Sequence, residues 1–380
     1  MAGLSVALGL ALMTNLPDPS SSINSFGTDT LAKLNRANTG KNFMFSPWSL
    51  QECFGMLRLG AKGNTDKELA SFLKQTGSPV GTAKNLAQVR KSVAPLMAKD
   101  QIRQANGLWV RKDFGILPEF KKDAEMYFDA QARSTTFPNP GLKMINNFVS
   151  ENTRGKIPKL FDDLSAGTKV VLVNAISFLD KWEVPFKKAD TKDLPFQVGS
   201  GKVNVPTMTG TGKYLYGENN LSQFVNMPYK SGILMSIVLP KKGVSLDKVL
   251  SDAQLLNTIR RTGEMKKGSV FIPRWKSEFS WNLKQWMMQH GVNDPFDSSA
   301  NFSGISKTPL VIDQALQKTF IKVDEEGTEA AAATGISMTR MASQPEKPFE
   351  FRADHPFAYL IWAPGGVIYF AGVVNNPASK

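Results

Sequence analysis

The sequence predicts a single α+β domain of mixed sheets and helices, on three observations. Helical periodicity dominates the first part of the chain, nearly unbroken apolar strands appear from Val170 onward, and neither a repeat nor a Gly/Ser linker divides the 380 residues. A chain of this length with 42% hydrophobic residues can bury a large core.

The elements follow in order. Apolar positions recur at helical spacing through residues 23–34 and again through 48–73, the second run interrupted at Gly60 to Gly63. Within it Leu50, Cys53 and Leu57 share one helix face, so the single cysteine is predicted to be a buried structural thiol, and no internal disulfide can form. Residues 170–179 are apolar except Asn174 and Ser177, the pattern of a strand covered on both faces. Residues 233–239 read as a second such strand, stopped by Pro240-Lys-Lys-Gly243. Residues 269–281 read as one further strand, and 281–291 as a helix. The apolar run 357–374 is split by Pro364-Gly365-Gly366, which predicts a buried β-hairpin and no membrane span.

Residues 1–13 are apolar apart from Ser5, and a polar run follows. That resembles a secretory signal peptide, with Ser20 and Ser22 as the best small-residue pair for cleavage, although no Lys or Arg precedes the apolar stretch. The reading is a leader over 1–22 and one domain over 23–380, secreted, with the cytoplasm as the alternative. The sequons at Asn220 and Asn301 matter only in the secreted case.

A formal charge of +13 favours acidic partners such as nucleic acid, heparin-like polysaccharide or an anionic membrane surface. The basic residues, however, are dispersed as pairs (Arg90-Lys91, Lys187-Lys188, Lys241-Lys242, Lys266-Lys267), which is the pattern of a solvated surface. Enzyme classes fall away for lack of parts. There are two histidines, and no nucleophile elbow, zinc-binding helix, phosphate loop or dinucleotide fingerprint. His355 adjoins Asp354, but neighbours on a strand point to opposite faces and would not orient one another as a triad does. His290 reads as a cap at a helix C-terminus. No metal set and no required cofactor are expected.

The informative stretch runs from Glu325-Glu326-Gly327 through Thr328 and Glu329 to Met341. Four consecutive alanines, Ala330 to Ala333, would suit a helix. Read as a strand, one face carries Thr328, Ala330, Ala332, Thr334, Ile336 and Met338, and the other Glu329, Ala331, Ala333, Gly335, Ser337 and Thr339. The first face is small or apolar with no charge, so the segment could slide between existing strands. Arg340 and Met341 then stand at its end, side chains that serine proteases accept in their specificity pockets. Pro345 and Pro348 keep the far side extended.

Here the sequence resembles the serpin family, over about residues 23–377. The matching segments are Asn42-Phe-Met-Phe-Ser-Pro-Trp-Ser-Leu50, Leu172-Val-Asn-Ala-Ile-Ser-Phe-Leu-Asp-Lys-Trp-Glu-Val-Pro-Phe186, Val323-Asp-Glu-Glu-Gly-Thr-Glu-Ala-Ala-Ala-Ala-Thr334 and Phe351-Arg-Ala-Asp-His-Pro-Phe-Ala-Tyr-Leu-Ile361. The resemblance implies three β-sheets, about eight or nine helices and an exposed reactive-centre loop over about 325–349. It also implies the mechanism of a suicide substrate: a target serine protease cuts the loop, is held as an acyl-enzyme, and is carried across the molecule as the loop inserts in the central sheet. The hinge would comprise Glu325, Glu326, Gly327, Thr328, Glu329, Ala330, Ala331, Ala332, Ala333 and Thr334. The 14 residues from Thr328 to Met341 would make a strand of about 46 Å.

Family spacing from Gly327 puts the bait residue at Met341 and the cut at Met341-Ala342. Similarity to a family member cut at an Arg-Met bond favours Arg340-Met341 slightly. By the same resemblance Ser46, Ser49 and Asn174 would lie in the shutter beneath the sheet and Trp182 in the breach where insertion starts. Gln317 stands where many members carry a histidine, ten residues before Gly327; an amide keeps the hydrogen bonds and loses the pH sensitivity. A monomer is expected. The rival is a carrier, chaperone or storage member, against which Thr328 and the alanines argue. A polyanion-binding member would use Lys84, Arg90, Lys91, Lys99 and Arg103, a set that Pro95 interrupts.

Overall fold

The computed structural model describes residues 19–99, 101–328 and 347–379. The first third of the chain is built by helices whose starts are fixed by proline and side-chain caps. Helix α1 spans Pro19–Ala37, so the expected leader boundary at residue 22 falls inside a helix. After the short strand β1 (Phe43–Phe45), α2 (Pro47–Gly60) opens on Pro47 with Ser46 as N-cap, its hydroxyl accepting from the Ser49 amide. Nearly every residue of α2 is buried, which is why its sequence is apolar all round. Helices α3 (Gly63–Phe72) and α4 (Pro79–Ala98) follow, the latter capped by Ser78. Pro95 was expected to interrupt this region, yet α4 runs through it. Pro95 is solvent-exposed, so the Lys91 carbonyl that loses its amide partner can turn to water.

Strand β2 (Ile102–Arg111), α5 (Pro118–Phe128), β3 (Gln131–Thr135) and α6 (Gly141–Asn152) lead to β4 (Val170–Phe178), every residue of which is buried, as its apolar run predicts. Next come β5 (Asp180–Lys181), β6 (Lys192–Val198), the long β7 (Gly201–Glu218), β8 (Ser222–Pro228), β9 (Leu234–Pro240), α7 (Leu246–Leu250) and α8 (Ala253–Thr258). The expected strand over 269–281 is instead two, β10 (Glu264–Pro273) and β11 (Trp275–Asn282), which pair in different sheets. Pro273 ends the first by offering no amide, and Arg274 is the corner. Then follow α9 (Leu283–Gln289), β12 (Gln314–Asp324), β13 (Gly327–Thr328), β14 (Phe349–Arg352) and the predicted hairpin of β15 (Phe357–Trp362) and β16 (Ile368–Val374).

The strands form two hydrogen-bonded sheets among the described residues. One has the order β1-β16-β15-β9-β8-β7-β10-β14, with β6 also on β7. It serves as two of the three expected layers, joined because β7 pairs with β6 and β10 along its length and with β8 at its end. The other sheet has the order β3-β2-β4-β12-β13-β5, with β11 also on β12. Its two faces bury different cores. Leu172, Ile176, Phe178, Ile321 and Val323 face the main core with α2 and the hairpin, whereas Val171, Val173, Ala175 and Phe320 face Ile145 and Val149 of α6.

Candidate functional site

The site begins where two parallel strands part. β4 and β12 pair from Val171 opposite Gln314 to Ser177 opposite Phe320. Beyond that point the chain leaves β12, reverses at Glu325 and Glu326, and returns as β13 between β12 and β5. Thr328 lies opposite both Val323 and Asp180, and Gly327 opposite both Asp324 and Lys181. Only glycine fits the second position. Its φ is +151°, and a Cβ there would stand 2.1 Å from the Asp180 carbonyl oxygen.

Each side chain of this reversal is tied down. Thr328 is 0% exposed, and its hydroxyl and that of Tyr229 lie 2.7 Å apart. Tyr229 stacks on Trp182 with ring centroids 4.2 Å apart. The Trp182 indole donates to the Asp324 carbonyl and its amide to the Glu326 carbonyl, both at 2.9 Å. The buried Glu325 carboxylate accepts from Arg274 Nε at 2.7 Å, from Arg274 Nη2, and from the Thr191 hydroxyl at 2.5 Å. Burial works against its charge, but Arg274 and Thr191 outweigh it and hold its pKa below the usual carboxylate value. Glu326 pairs with Lys188 at 2.7 Å. Asp180, opposite Thr328, is shifted the other way, its pKa raised by burial against a hydrogen bond from Ser231.

Farther down the β4/β12 ladder a second polar group crosses the sheet into α2. Asn174 and Gln317 are directly opposite one another, and Gln317 Nε2 donates to Asn174 Oδ1 at 2.6 Å. Gln317 Oε1 accepts from the Ser46 amide at 3.0 Å, and its Nε2 also reaches the Ser46 carbonyl at 3.3 Å. Asn174 Nδ2 donates to Ser49 Oγ at 2.6 Å and to Asn106 Oδ1 at 2.7 Å. Ser46, Ser49, Asn174 and Gln317 therefore meet in one buried network, where Gln317 accepts at Oε1 and donates twice from Nε2, a second donation that a neutral imidazole with its single N–H could not make.

Sequence reasoning missed Asn106, Tyr229, Thr191, Lys188 and Arg274. Asn106, a polar residue in the otherwise apolar stretch 105–110, carried a readable signal; the other four are surface-type residues whose partners lie far away in sequence. The expected hinge residues Glu329, Ala330, Ala331, Ala332, Ala333 and Thr334, and the bond residues Arg340, Met341 and Ala342, lie outside the described residues.

The basic set on α4 divides. Lys84 and Lys91 are exposed, but Arg90 turns inward, its side chain 16% exposed and its Nη2 2.5 Å from the fully buried Glu52 carboxylate. It is no part of a surface patch. Burial raises the Glu52 pKa to about 7 against the pull of Arg90 and a hydrogen bond from Gln104. Cys53 is buried with its thiol pushed well up by burial. Asp354 and His355 do orient one another, against expectation, because the two lie in a connection and not in a strand, with His355 Nδ1 2.7 Å from Asp354 Oδ1. The other ring nitrogen is 2.9 Å from the Pro240 carbonyl. That leaves it no nucleophile to activate. His290 caps α9, its Nδ1 2.8 Å from the Trp286 carbonyl. Among the described residues no His, Cys, Asp and Glu group could hold a metal, and no helix is long and apolar enough to cross a membrane.

A two-residue strand seated between β12 and β5, above a polar network that ties β4 and β12 to α2, is the geometry of the site. The chain belongs to the serpin family: the family model described as Serpin (serine protease inhibitor) matches residues 21–377. It is 33% identical to leukocyte elastase inhibitor of Bos taurus over 93% of this chain and 97% of that one. It is also 33% identical to an uncharacterized serpin-like protein of Thermococcus kodakarensis, over 93% and 85%. Among solved structures, Serpin48 of the insect Tenebrio molitor superposes with a TM-score of 0.83 at 30% identity, over 96% of this chain and all of that one.

Proposed function

We propose that the chain inhibits serine proteases as a suicide substrate, its cut loop entering the sheet between β4 and β12. One observation carries the reading: β13 has begun a strand in a register the sheet can accept throughout. Continued from Thr328, that register sets Ala330 between Ile321 and Phe178, Ala332 between Thr319 and Ile176, and Thr334 between Gln317 and Asn174. Ser337 then reaches Gln314 and Val171. Apart from Ile321 and Phe178, one step past the end of the ladder, these are the pairs that β12 and β4 already form, so the strands need only separate and not slide.

The side-chain pattern suits both faces. Directly paired residues share a face, so Ala330, Ala332 and Thr334 would enter the main core, where bulk is already supplied by Ile321, Ile176 and Phe178. Ala331, Ala333 and Gly335 would lie beneath α6, beside Phe320, Ala175 and Val173. Thr334 brings a hydroxyl, both donor and acceptor, between the two amides whose mutual bond the new strand must break. Two ladders would replace the one between β4 and β12, a net gain of about ten bonds at roughly 1 kcal/mol each, which is a large driving force.

The protease serine would attack the carbonyl carbon of Arg340, forming an ester as the Arg340–Met341 peptide bond breaks and the Met341 amine leaves with a proton from the protease histidine. Insertion then carries the ester away before water can cleave it. Cleavage after Arg340 directs the loop at trypsin-like enzymes; cleavage after Met341, releasing Ala342, would direct it at elastase-like or chymotrypsin-like ones, and a relative named for leukocyte elastase keeps that bond in view. The test is incubation with trypsin, chymotrypsin and elastase, followed by denaturing electrophoresis and mass spectrometry of the released fragment. An SDS-resistant complex with a fragment beginning at Met341 is expected; loop cleavage without a covalent complex by any of the three rejects the proposal.

A further inference from the structure

The sheet that the loop runs into carries a charge arrangement that strand insertion does not use. Beyond the loop the chain forms β14, the edge strand beside β10, and β10 pairs with β7. In the antiparallel register of β7 and β10, Lys213 stands directly opposite Lys267, and both are exposed. Like charges directly opposite one another destabilise a sheet. The nearby carboxylates are taken: Glu350 is paired with Arg352 at 3.1 Å and Glu264 with Lys266 at 3.3 Å. Among the described residues neither Lys213 nor Lys267 has an ion pair or a hydrogen bond.

Their neighbours on the same face fit contact with a protein. Met265, 63% exposed, and the half-buried Leu215 continue the two strands on one side. On the other side the Thr211 and Ser269 hydroxyls lie 3.0 Å apart, and the Arg352 guanidinium covers the Phe271 ring at 3.8 Å. A polysaccharide or nucleic acid would call for a run of cations; two cations bordered by exposed apolar side chains suit the mixed surface of a folded partner. Position names that partner. Phe349 lies eight residues beyond Met341, within about 28 Å even of a fully extended chain. A protease domain of about 200 residues has a radius of gyration of about 16 Å, and so a diameter near 40 Å. An enzyme seated on the loop is therefore wide enough to reach this face.

We infer that Lys213 and Lys267 form a docking contact for the acidic surface beside the active-site cleft of the target protease, engaged before the loop is cut. The inference rests on the inhibitory reading. Lysine carboxylate pairs at such a rim act mainly on the association rate, and salt screens them.

The test compares the wild-type protein with the Lys213→Ala/Lys267→Ala variant. The probes are trypsin and chymotrypsin, each as purified and after succinylation of its surface lysines, which replaces ammonium by carboxylate. At low ionic strength the variant is expected to trap the succinylated enzymes about 5–20-fold more slowly, with the difference lost near 0.5 M salt. The number of inhibitor molecules consumed per complex stays unchanged, because insertion is untouched. Removing Lys121 and Lys122, two exposed residues on α5, is expected to change the rate less than about 2-fold. Lys267→Glu adds a second arm: pairing with Lys213 raises the melting temperature while the trapping rate falls, an opposition that a purely structural pair would not give. Unchanged rates with succinylated enzymes, or an equal loss from the α5 variant, overturns the inference. So does loss of heparin retention with rates intact, which would assign the pair to a polysaccharide. Absence of a complex between the wild-type protein and every protease instead defeats the inhibitory reading itself.

Discussion

Gly327 and Glu325 hold the start of β13 by opposite means, one by lacking a side chain and the other by burying a charged one. Gly327→Ala places a methyl on the Asp180 carbonyl at a φ that L residues rarely adopt, so β13 is expected to leave the sheet at a cost of about 2–4 kcal/mol. A lowered melting temperature with new amide exchange at Asp180 and Val323 checks it. Glu325→Gln keeps the shape but weakens the bonds from Arg274 and Thr191, a loss on the order of 1–3 kcal/mol. The Asp354–His355 pair adds a pH dependence. Burial disfavours the His355 cation, but Asp354 and the Pro240 carbonyl together raise its pKa above the ordinary 6.5. A base with a raised folded pKa contributes stability in full below its unfolded pKa and loses it as pH rises through the folded one. Asp354 is lowered by the same bond, so its contribution is lost only as pH falls below 3.8 toward its folded value. Thermal stability of the wild type should therefore drop from pH 6 to pH 9 relative to His355→Gln, by an amount that solvent screening keeps small. Parallel profiles for the two proteins would remove the pair from the account.

The same elements show which parts of the sequence were legible and which were not. Covered strands announce themselves, and β4, β9 and the final hairpin lie where their apolar runs put them. Local capping was equally plain at Ser46. The break between β10 and β11 was not, because alternation continues across Arg274 and only the switch of sheet partner makes it a corner. That corner supplies the partner of Glu325, 51 residues away. Arg90 was misjudged for a similar reason: a charge beside Lys91 looks solvated until Glu52 is brought beneath it by α2. The uncharged face from Thr328 onward is legible in the sequence, but how much of it the described sheet already holds is not. Thr328 is already seated, which sharpens one substitution. Thr328→Arg would bury a guanidinium against Tyr229 and Trp182, a cost that expels β13 and slows every later step of insertion. The expected result is a substrate in place of an inhibitor, with near-complete cleavage by trypsin and loss of the SDS-resistant band. An undiminished band would mean that insertion does not begin at Thr328.

Taken as a whole, the sheet is a continuous β4/β12 ladder below and admits β13 between β12 and β5 above. The ladder from Ser177 to Val171 is complete, the network of Gln317, Asn174, Asn106, Ser46 and Ser49 staples it to α2, and only β13 occupies the place of a further strand. On the inhibitory reading, the attachment of the loop to both β13 and β14 would oppose its running the length of β4. The intact form would then be held by a barrier and not by being the lowest state. Cutting the loop would free one end, and the separation of β4 from β12 would be repaid by two new ladders in an unchanged register. Cleavage without a trapped enzyme should accordingly raise the melting temperature by tens of degrees, since about ten bonds are gained net and a domain of this size shifts about 1–3 °C per kcal/mol. Thr334→Val should keep the cleavage site but lower that rise by several degrees, because Gln317 and Asn174 would then face a methyl where the inserted hydroxyl could bond both. Scanning calorimetry of the intact and cut forms of both proteins measures the effect. An identical rise in the two would show that Thr334 does not arrive between those amides, and would break the register on which insertion is argued.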